Sequence, residues 1–305
     1  MARGFLGIYC KIITSYKRVE ISINCKYNIY YVQHNIKCIM VLGINLKYKN
    51  RKGLLRLKPF DRDYVLNKIK EYNRKIRPRK IGDFEIKKLD GLQGIVQGYL
   101  YEKKDRINLK IAELVHEYNH IWMRLTPVEI EGAYFAIERA KGKVGVVGLG
   151  LGYVVQEMAK KEDVEEIIVY EVSKDVIDLY NRNFKENSKI KVINIDAFKA
   201  EAEEFDFFYA DIYEYKITSK IVEDYEAFNE LHKIEEYSFF GMEHFLLSCS
   251  YEEIVWVYIP ENWMEMAREA YDALEQSDLL EYYNPLDKEI VSSVLQKFKI
   301  VLDRM

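Results

Sequence analysis

The sequence predicts an α/β protein: a doubly wound, mostly parallel sheet with helices on both faces, preceded by an N-terminal β/α cap. Three observations predict it. From Val144 onward, short apolar runs alternate with stretches of helical periodicity, the rhythm of βαβ units. The first apolar run ends in a glycine-rich turn that leads straight into a helix. The strands that follow end in Glu171, Asp196 and Asp211, so carboxylates gather at one edge of the sheet.

Taken in chain order, residues 61–80 read as a basic helix, with Asp61 as N-cap and Pro78 marking its end. Gly82, Gly91, Gly94 and Gly98 punctuate the next stretch, which reads as short strands at Phe84–Lys88 and Ile95–Tyr101 in a hairpin. Ile107, Ile111, Leu114, Val115, Tyr118 and Trp122 have helical spacing, so 107–123 is expected to be a helix. Thr126-Pro127 then starts a second helix running to about Ala140, with Thr as cap and Pro at the first helical position. Strands are expected at Val144–Val147, Glu166–Tyr170, Ile190–Ile195 and Phe205–Ala210, and helices at Tyr153–Lys161 and Lys174–Phe184. Helical patterns recur at 219–234 and 261–276, while Tyr237–Phe240 and Ile254–Ile259 compete to be the fifth strand. This divides the chain into a basic arm (1–80), a cap of hairpin and helices (81–140) and a sheet domain with a helical C-terminal end (141–305).

Charge sharpens the division. Residues 1–80 hold 20 Lys and Arg against 4 Asp and Glu, and the remainder holds 26 against 45, so a net charge of −3 conceals a basic stretch joined to an acidic body. Within residues 1–50, Ile, Lys, Asn and Tyr supply 26 positions; alternation at 19–23 and 30–32 suggests short strands. The same four residue types have A/T-rich codons, so translated upstream sequence with a start at Met40 is the competing reading.

Several classes are disfavoured. The longest uncharged run, Val144–Gln156, has 13 residues and is too short to cross a bilayer. Lys11 interrupts the apolar stretch behind Arg3 before a secretory core forms. Cys10, Cys25, Cys38 and Cys249 include no C-x-x-C pair, so neither a zinc knuckle nor a disulfide scaffold is indicated, and the cytoplasm is the expected compartment.

The turn after the first sheet strand reads Gly148-Leu-Gly150-Leu-Gly152-Tyr153. A G-x-G-x-x-G dinucleotide fingerprint fails here, because the third glycine falls on Tyr153 or Val155, and no Gly-Lys-Ser/Thr follows as a P-loop requires. The pattern is G-x-G-x-G ahead of a helix N-terminus, whose free N–H groups favour a polar ligand. Glu171 at the second strand tip can accept both hydroxyls of a ribose. Asp196-Ala197 ends the third strand, where the Asp can accept from an exocyclic amine. Asp211 ends the fourth.

With these residues in this order, Lys143 to Tyr215 resembles the class I S-adenosylmethionine-dependent methyltransferases, a Rossmann-like, seven-stranded family. Trp122-Met-Arg-Leu-Thr-Pro-Val-Glu129 looks like the lead-in to GLGLGY loops in uncharacterised Firmicutes proteins, and the loop style is similar to that of the spermidine synthases. The resemblance implies S-adenosylmethionine as cofactor, with Gly148, Gly150 and Gly152 near its methionine part, Glu171 on the ribose, and Asp196 and Ala197 flanking the adenine. Asp211 would lie near the sulfonium and the acceptor, and Tyr213 would line the acceptor pocket; these two are the catalytic candidates. Methyl transfer from a sulfonium is an in-line displacement with a good leaving group, so alignment supplies much of the acceleration.

Ala210-Asp-Ile-Tyr213 lacks the Asp/Asn-Pro-Pro-Tyr/Phe motif of base-amine methyltransferases, and no Pro-Cys nucleophile is present, which disfavours both kinds of base methylation. The expected acceptor is a small molecule or an amine, and Glu129, Glu131 and Asp211 near the site would suit a cation. Aminopropyl transfer is the alternative, although the lead-in of that family, Tyr-His-Glu-Met, is replaced here by Glu129-Ile-Glu131-Gly132. A non-catalytic cofactor-binding protein is the third reading.

Two other patterns compete. His116-Glu-Tyr-Asn-His120 matches H-E-x-x-H, which on a helix places two zinc ligands on one face, but no third ligand has a signature and no metal is expected. Arg74–Lys80, with Tyr64 and Tyr72 interleaved before it, would suit nucleic-acid phosphates. The favoured reading of that run is a solvated arm, or one docked on the acidic body of a second copy in a homo-oligomer. Trp256 and Trp263 read as core or interface residues.

Overall fold

A computed structural model describes residues 58–92, 97–103, 107–117 and 120–304. The strands expected at 19–23 and 30–32 lie outside these residues. The described chain opens with helix α1 (Arg62–Lys75), which starts where Asp61 accepts a hydrogen bond from the Tyr64 N–H at 2.8 Å. Its buried stripe is Val65, Ile69 and Tyr72. Strands β1 (Arg79–Ile81), β2 (Phe84–Leu92), β3 (Ile107–His116) and β4 (His120–Arg124) follow as an antiparallel sheet in that order.

This sheet corrects two expectations. The helix expected over 107–123 is the β3–β4 hairpin. Ile111 to Val115 are all buried, which erases the alternation of a half-buried strand, and such an apolar run cannot be told from a buried helix by periodicity. His116 and His120 are therefore cross-strand partners rather than neighbours on one helix face, and the H-E-x-x-H reading falls with the helix. Of the strand expected at Ile95–Tyr101, the described part, 97–101, shows only isolated bridges. Residues 93–96 lie outside the described set, Gln97 makes only an isolated bridge to Glu102, and β2 pairs with β1 and β3 instead.

Helices α2 (Pro127–Gly132) and α3 (Tyr134–Arg139) occupy the span read as one helix; they are interrupted at Ala133. Then comes the sheet domain: β5 (Gly142–Val147), α4 (Tyr153–Met158), β6 (Val164–Glu171), α5 (Lys174–Asn183), β7 (Ile190–Asn194), β8 (Glu204–Phe205) and β9 (Phe207–Ala210). After it run α6 (Lys220–Leu231), β10 (Lys233–Ile234), β11 (Tyr237–Phe239), α7 (Met242–Ser248), α8 (Tyr251–Val257), α9 (Glu261–Gln276) and α10 (Lys288–Leu302). The main sheet is parallel throughout, in the order β11-β9-β5-β6-β7, with β8 and β10 forming a separate parallel pair. This is the doubly wound, Rossmann-like arrangement.

Successive strand residues divide between two cores. Val144, Val146, Ile167, Val169, Phe207 and Tyr209 pack with α1, α3, α4 and α5, while Val147, Ile168, Tyr170, Phe208 and Ala210 pack with α6, α7, α9 and α10. Among the described residues the main sheet has five strands where seven were expected, and residues 240–304 form no strand of it. Of the competing fifth strands, Tyr237–Phe239 forms and Ile254–Ile259 does not. Ser250 and Glu253 make a reciprocal capping box that starts α8 there. Trp263 is in the core, whereas Trp256 is exposed. Among the described residues no helix is long and apolar enough to cross a membrane.

The helix in the basic stretch is bound to this domain. Glu157 on α4 accepts from the Tyr72 hydroxyl at 2.7 Å and from Lys68 Nζ at 2.5 Å, and also from Lys160. Burial alone would push the Glu157 carboxyl up, but the hydrogen bonds from Lys160, Lys68 and Tyr72 hold it below its ordinary range. A carboxylate with a depressed folded pKa contributes stability above its unfolded value and loses it as pH falls. Stability measured by urea unfolding is therefore expected to drop as pH falls below about 5, and Glu157→Gln to flatten that drop while costing about 1–3 kcal/mol near neutrality.

Candidate functional site

The carboxyl ends of β5, β6, β7 and β9 open on a cavity of about 490 Å³. It lies at the switch point of the sheet, where the chain leaves β5 for β6 on one side and β9 takes the other. Gly148, Gly150, Glu171, Asp196, Ala197 and Asp211 all line it, together with Met123 and Arg124 of the β4 edge and Glu129 of α2. Six of the eight residues proposed from sequence thus share one chamber; Gly152 and Tyr213 are outside it.

The glycine loop is shaped by close approach. Gly148 has φ +95°, and a Cβ there would lie 2.6 Å from the Asp211 carbonyl oxygen. Gly150 has φ +49°, and its Cβ would lie 2.5 Å from Met123 Sδ. Gly152 serves packing rather than the chamber: it caps α4 and its open side faces the Tyr180 ring. The loop is pinned from two directions. The Leu149 N–H donates to Glu171 Oε2 at 3.0 Å, and the Leu151 N–H donates to Met123 Sδ at 3.1 Å.

Glu171 is the hub of this edge. It is 4% exposed, and its Oε1 accepts from the Ser173 N–H at 2.7 Å. Burial raises its carboxyl, and the backbone N–H donors of Ser173, Leu149 and Val172 oppose that rise. Those three donors take three of the carboxylate's roughly four lone-pair sites, which leaves one for an incoming hydroxyl. Asn194 Nδ2 donates to both the Glu171 and Val172 carbonyls at 2.9 Å, fixing the strand tip from β7. Beside it, Val172 (68% exposed) and Phe198 (40%) present apolar surface to the cavity. Phe198 is held by stacking on Phe228, with ring centroids 4.6 Å apart. Asp196 caps the turn that begins at Ala197, accepting from the Phe198 N–H at 3.2 Å.

The far end of the cavity is acidic. Asp211 follows β9 and its carboxyl is pushed up to about 7 by burial. Glu129 is buried, its Oε1 has no hydrogen-bond partner, and burial together with the Asp211 charge raises its carboxyl well above the ordinary range. Glu131 does not join them: its oxygens accept from the Tyr99 N–H at 2.8 Å and the Tyr101 hydroxyl at 2.9 Å, away from this chamber. Tyr213 turns into the core beside Phe239, its hydroxyl toward Tyr237 and Asp224, and does not line the cavity. Its places on the wall are taken by Ile212, Glu214 and Tyr215. Glu214 and Tyr215 adopt positive φ of 48° and 54°, a strained pair for residues with side chains. Tyr215 is held there by its hydroxyl, which contacts the Tyr99 carbonyl and, at 2.5 Å, His244 Nδ1. None of Arg74–Lys80 lines the cavity.

Sequence reasoning missed Met123, Arg124 and Tyr215 as wall residues. Met123 was assigned to the helix that is a hairpin, and Arg124 lies just past the end of that expected helix. For Tyr215 the only signal was its nearness to Asp211.

No protein-family model matches this chain, and no curated protein does. Among solved structures it is similar to a S-adenosylmethionine-dependent methyltransferase from Clostridium acetobutylicum, at 15% identity over 35% of this chain and 48% of that one, TM-score 0.30. It is also similar to the ribosomal protein L11 methylase of Lactobacillus delbrueckii subsp. bulgaricus, at 17% identity over 37% and 60%, TM-score 0.32. A third is the 23S rRNA methyltransferase ErmE, at 27% identity over 35% and 43%, TM-score 0.29. The matches span about half the length of these structures.

Two outcomes follow from the geometry. Gly148→Ala places a methyl against backbone at positive φ and is expected to destabilise the protein by about 2–4 kcal/mol in urea unfolding. Gly150→Ala meets only a movable thioether and is expected to cost about half as much. For Asp211 the neutral form is the one the fold prefers, so its folded pKa is raised and stability falls as pH climbs from the ordinary carboxylate range through about 7. Asp211→Asn is therefore expected to be more stable than wild type near pH ~8, on the order of 2 kcal/mol, and equal to it near pH ~4.

Proposed function

We propose that the chamber binds S-adenosylmethionine and that the protein is a methyltransferase acting on a small-molecule or amine acceptor. The observation that carries this reading is the meeting of Gly148, Gly150, Glu171, Asp196, Ala197 and Asp211 around one cavity at the switch point of a parallel sheet. Glu171 receives a ribose hydroxyl on the lone pair that its backbone donors leave free. Val172 and Phe198 take the faces of the adenine, with Asp196 accepting from its exocyclic amine. When bound, S-adenosylmethionine supplies an electrophilic methyl on a sulfonium. Asp211, at the opposite end from the adenine wall, orients the acceptor and takes its proton.

Arg124 separates this reading from aminopropyl transfer. Its Nε donates to Glu113, and Arg124 is the cation among the residues that line the cavity, where a guanidinium would suit a carboxylate. The methyl donor carries that carboxylate; the decarboxylated donor of aminopropyl transfer does not.

Calorimetric titration with S-adenosylmethionine tests the cofactor. Wild type is expected to bind it, and Glu171→Ala to lose at least about 2 kcal/mol of affinity, roughly thirtyfold, because a buried hydroxyl acceptor and the pin on Leu149 go together. No heat at millimolar cofactor would end the proposal. Binding without S-adenosylhomocysteine formation in the presence of any lysate fraction would favour the non-catalytic reading.

A further inference from the structure

The acidic end of the chamber is unusual in having no counter-charge. Among the described residues, no ion pair reaches Glu129 or Asp211, whereas Glu157, another buried carboxylate, receives two lysines and a tyrosine. Glu129 is 9% exposed, lines the cavity and leaves Oε1 without a partner. The fully buried Tyr209 hydroxyl, close enough to feel both carboxylate charges, is also without one. Arg124, the cation on the cavity wall, is committed through Nε to Glu113, and His120 at the rim pairs with Glu214 at 3.4 Å. Desolvated acceptors left unpaired carry a standing cost that a suitable ligand relieves. Two carboxyls on the cavity wall with no ion pair of their own fit a positively charged donor of several hydrogens.

We propose that Glu129 and Asp211 form a paired-carboxylate subsite that holds the reacting nitrogen of the acceptor as an alkylammonium ion. The proposal rests on the methyltransferase reading and narrows its acceptor to an amine. The step balances without any other reactant. The ammonium gives one proton to a carboxylate of the pair and becomes a neutral amine. Its lone pair forms the N–CH₃ bond as the S–CH₃ bond breaks and its electrons return to sulfur. The products are a methylammonium ion and the neutral thioether, with the carboxyl proton released to solvent. The pair thus binds the resting form of the acceptor and also receives the proton that must leave before attack.

The probe is n-butylamine against n-butanol, which has the same chain with a neutral head, each titrated by calorimetry into the full chain with and without S-adenosylhomocysteine. Wild type is expected to bind the amine at least about tenfold more tightly than the alcohol. Glu129→Gln, which keeps the side-chain volume, is expected to remove that preference while leaving S-adenosylhomocysteine affinity within about twofold, so the variant is shown to be folded by the same titration. Equal binding of amine and alcohol by wild type overturns the proposal. So does a Glu129→Gln variant that loses S-adenosylhomocysteine as strongly as butylamine, because Glu129 then serves the ammonium of the cofactor. Failure of S-adenosylhomocysteine to bind wild type sinks the cofactor reading alone. The comparison of amine with alcohol then still decides the subsite, with circular dichroism reporting the fold of the variant.

Discussion

The site depends on one buried carboxylate. Glu171 accepts from the N–H of Leu149 in the glycine loop and from that of Ser173 in the turn after its own strand. These contacts join the ends of two neighbouring parallel strands at the level where ladder hydrogen bonding stops. Without such a tie the loop would rest on the Leu151–Met123 contact and the Gly148–Tyr170 backbone bond. Burial makes the carboxylate costly, and its backbone donors offset that cost. The cavity floor is therefore a polar device set on two apolar cores, and its geometry is inherited from the register of β5 on β6.

The sheet domain was the most legible part of the chain. Strands buried on both faces leave uninterrupted apolar runs such as Phe207–Ala210, and the residues at their ends carry the chemistry. The cap was not legible for the same reason turned around. Ile111–Val115 are also buried without alternation, but no glycine or helix rhythm flanks them to say which structure they form. Tyr213, which the resemblance implied for the acceptor pocket, lies past β9, which ends at Ala210; there the direction of a side chain is set by loop dihedrals. Glu129 could be placed near the site from its position after Thr126-Pro127. That it, and not Glu131, faces the chamber depends on Tyr99 and Tyr101 claiming the other carboxylate.

The charge division takes on a structural meaning. Lysine from the basic stretch is used at Glu157, where Lys68 joins Lys160 around a buried acid and ties α1 to α4. Among the described residues, Glu129 and Asp211 at the cavity have no ion-pair partner, although Asp196 pairs with Lys199 and Glu214 with Lys216. Glu157 is thus neutralised where it joins two elements, and Glu129 and Asp211 are left without a counter-charge where a ligand is proposed.

The contact between Gly148 and the Asp211 carbonyl has a consequence for how this site can vary. A loop proposed for the cofactor and a residue proposed for the acceptor meet through backbone atoms, with no side chain between them to absorb a change. Substitutions at the two ends of the chamber are therefore coupled and their energies will not add. A new acceptor preference cannot be reached by altering the acidic end alone while the glycine loop stays as it is. Such a lineage would have to move both together, or change the walls supplied by the cap instead.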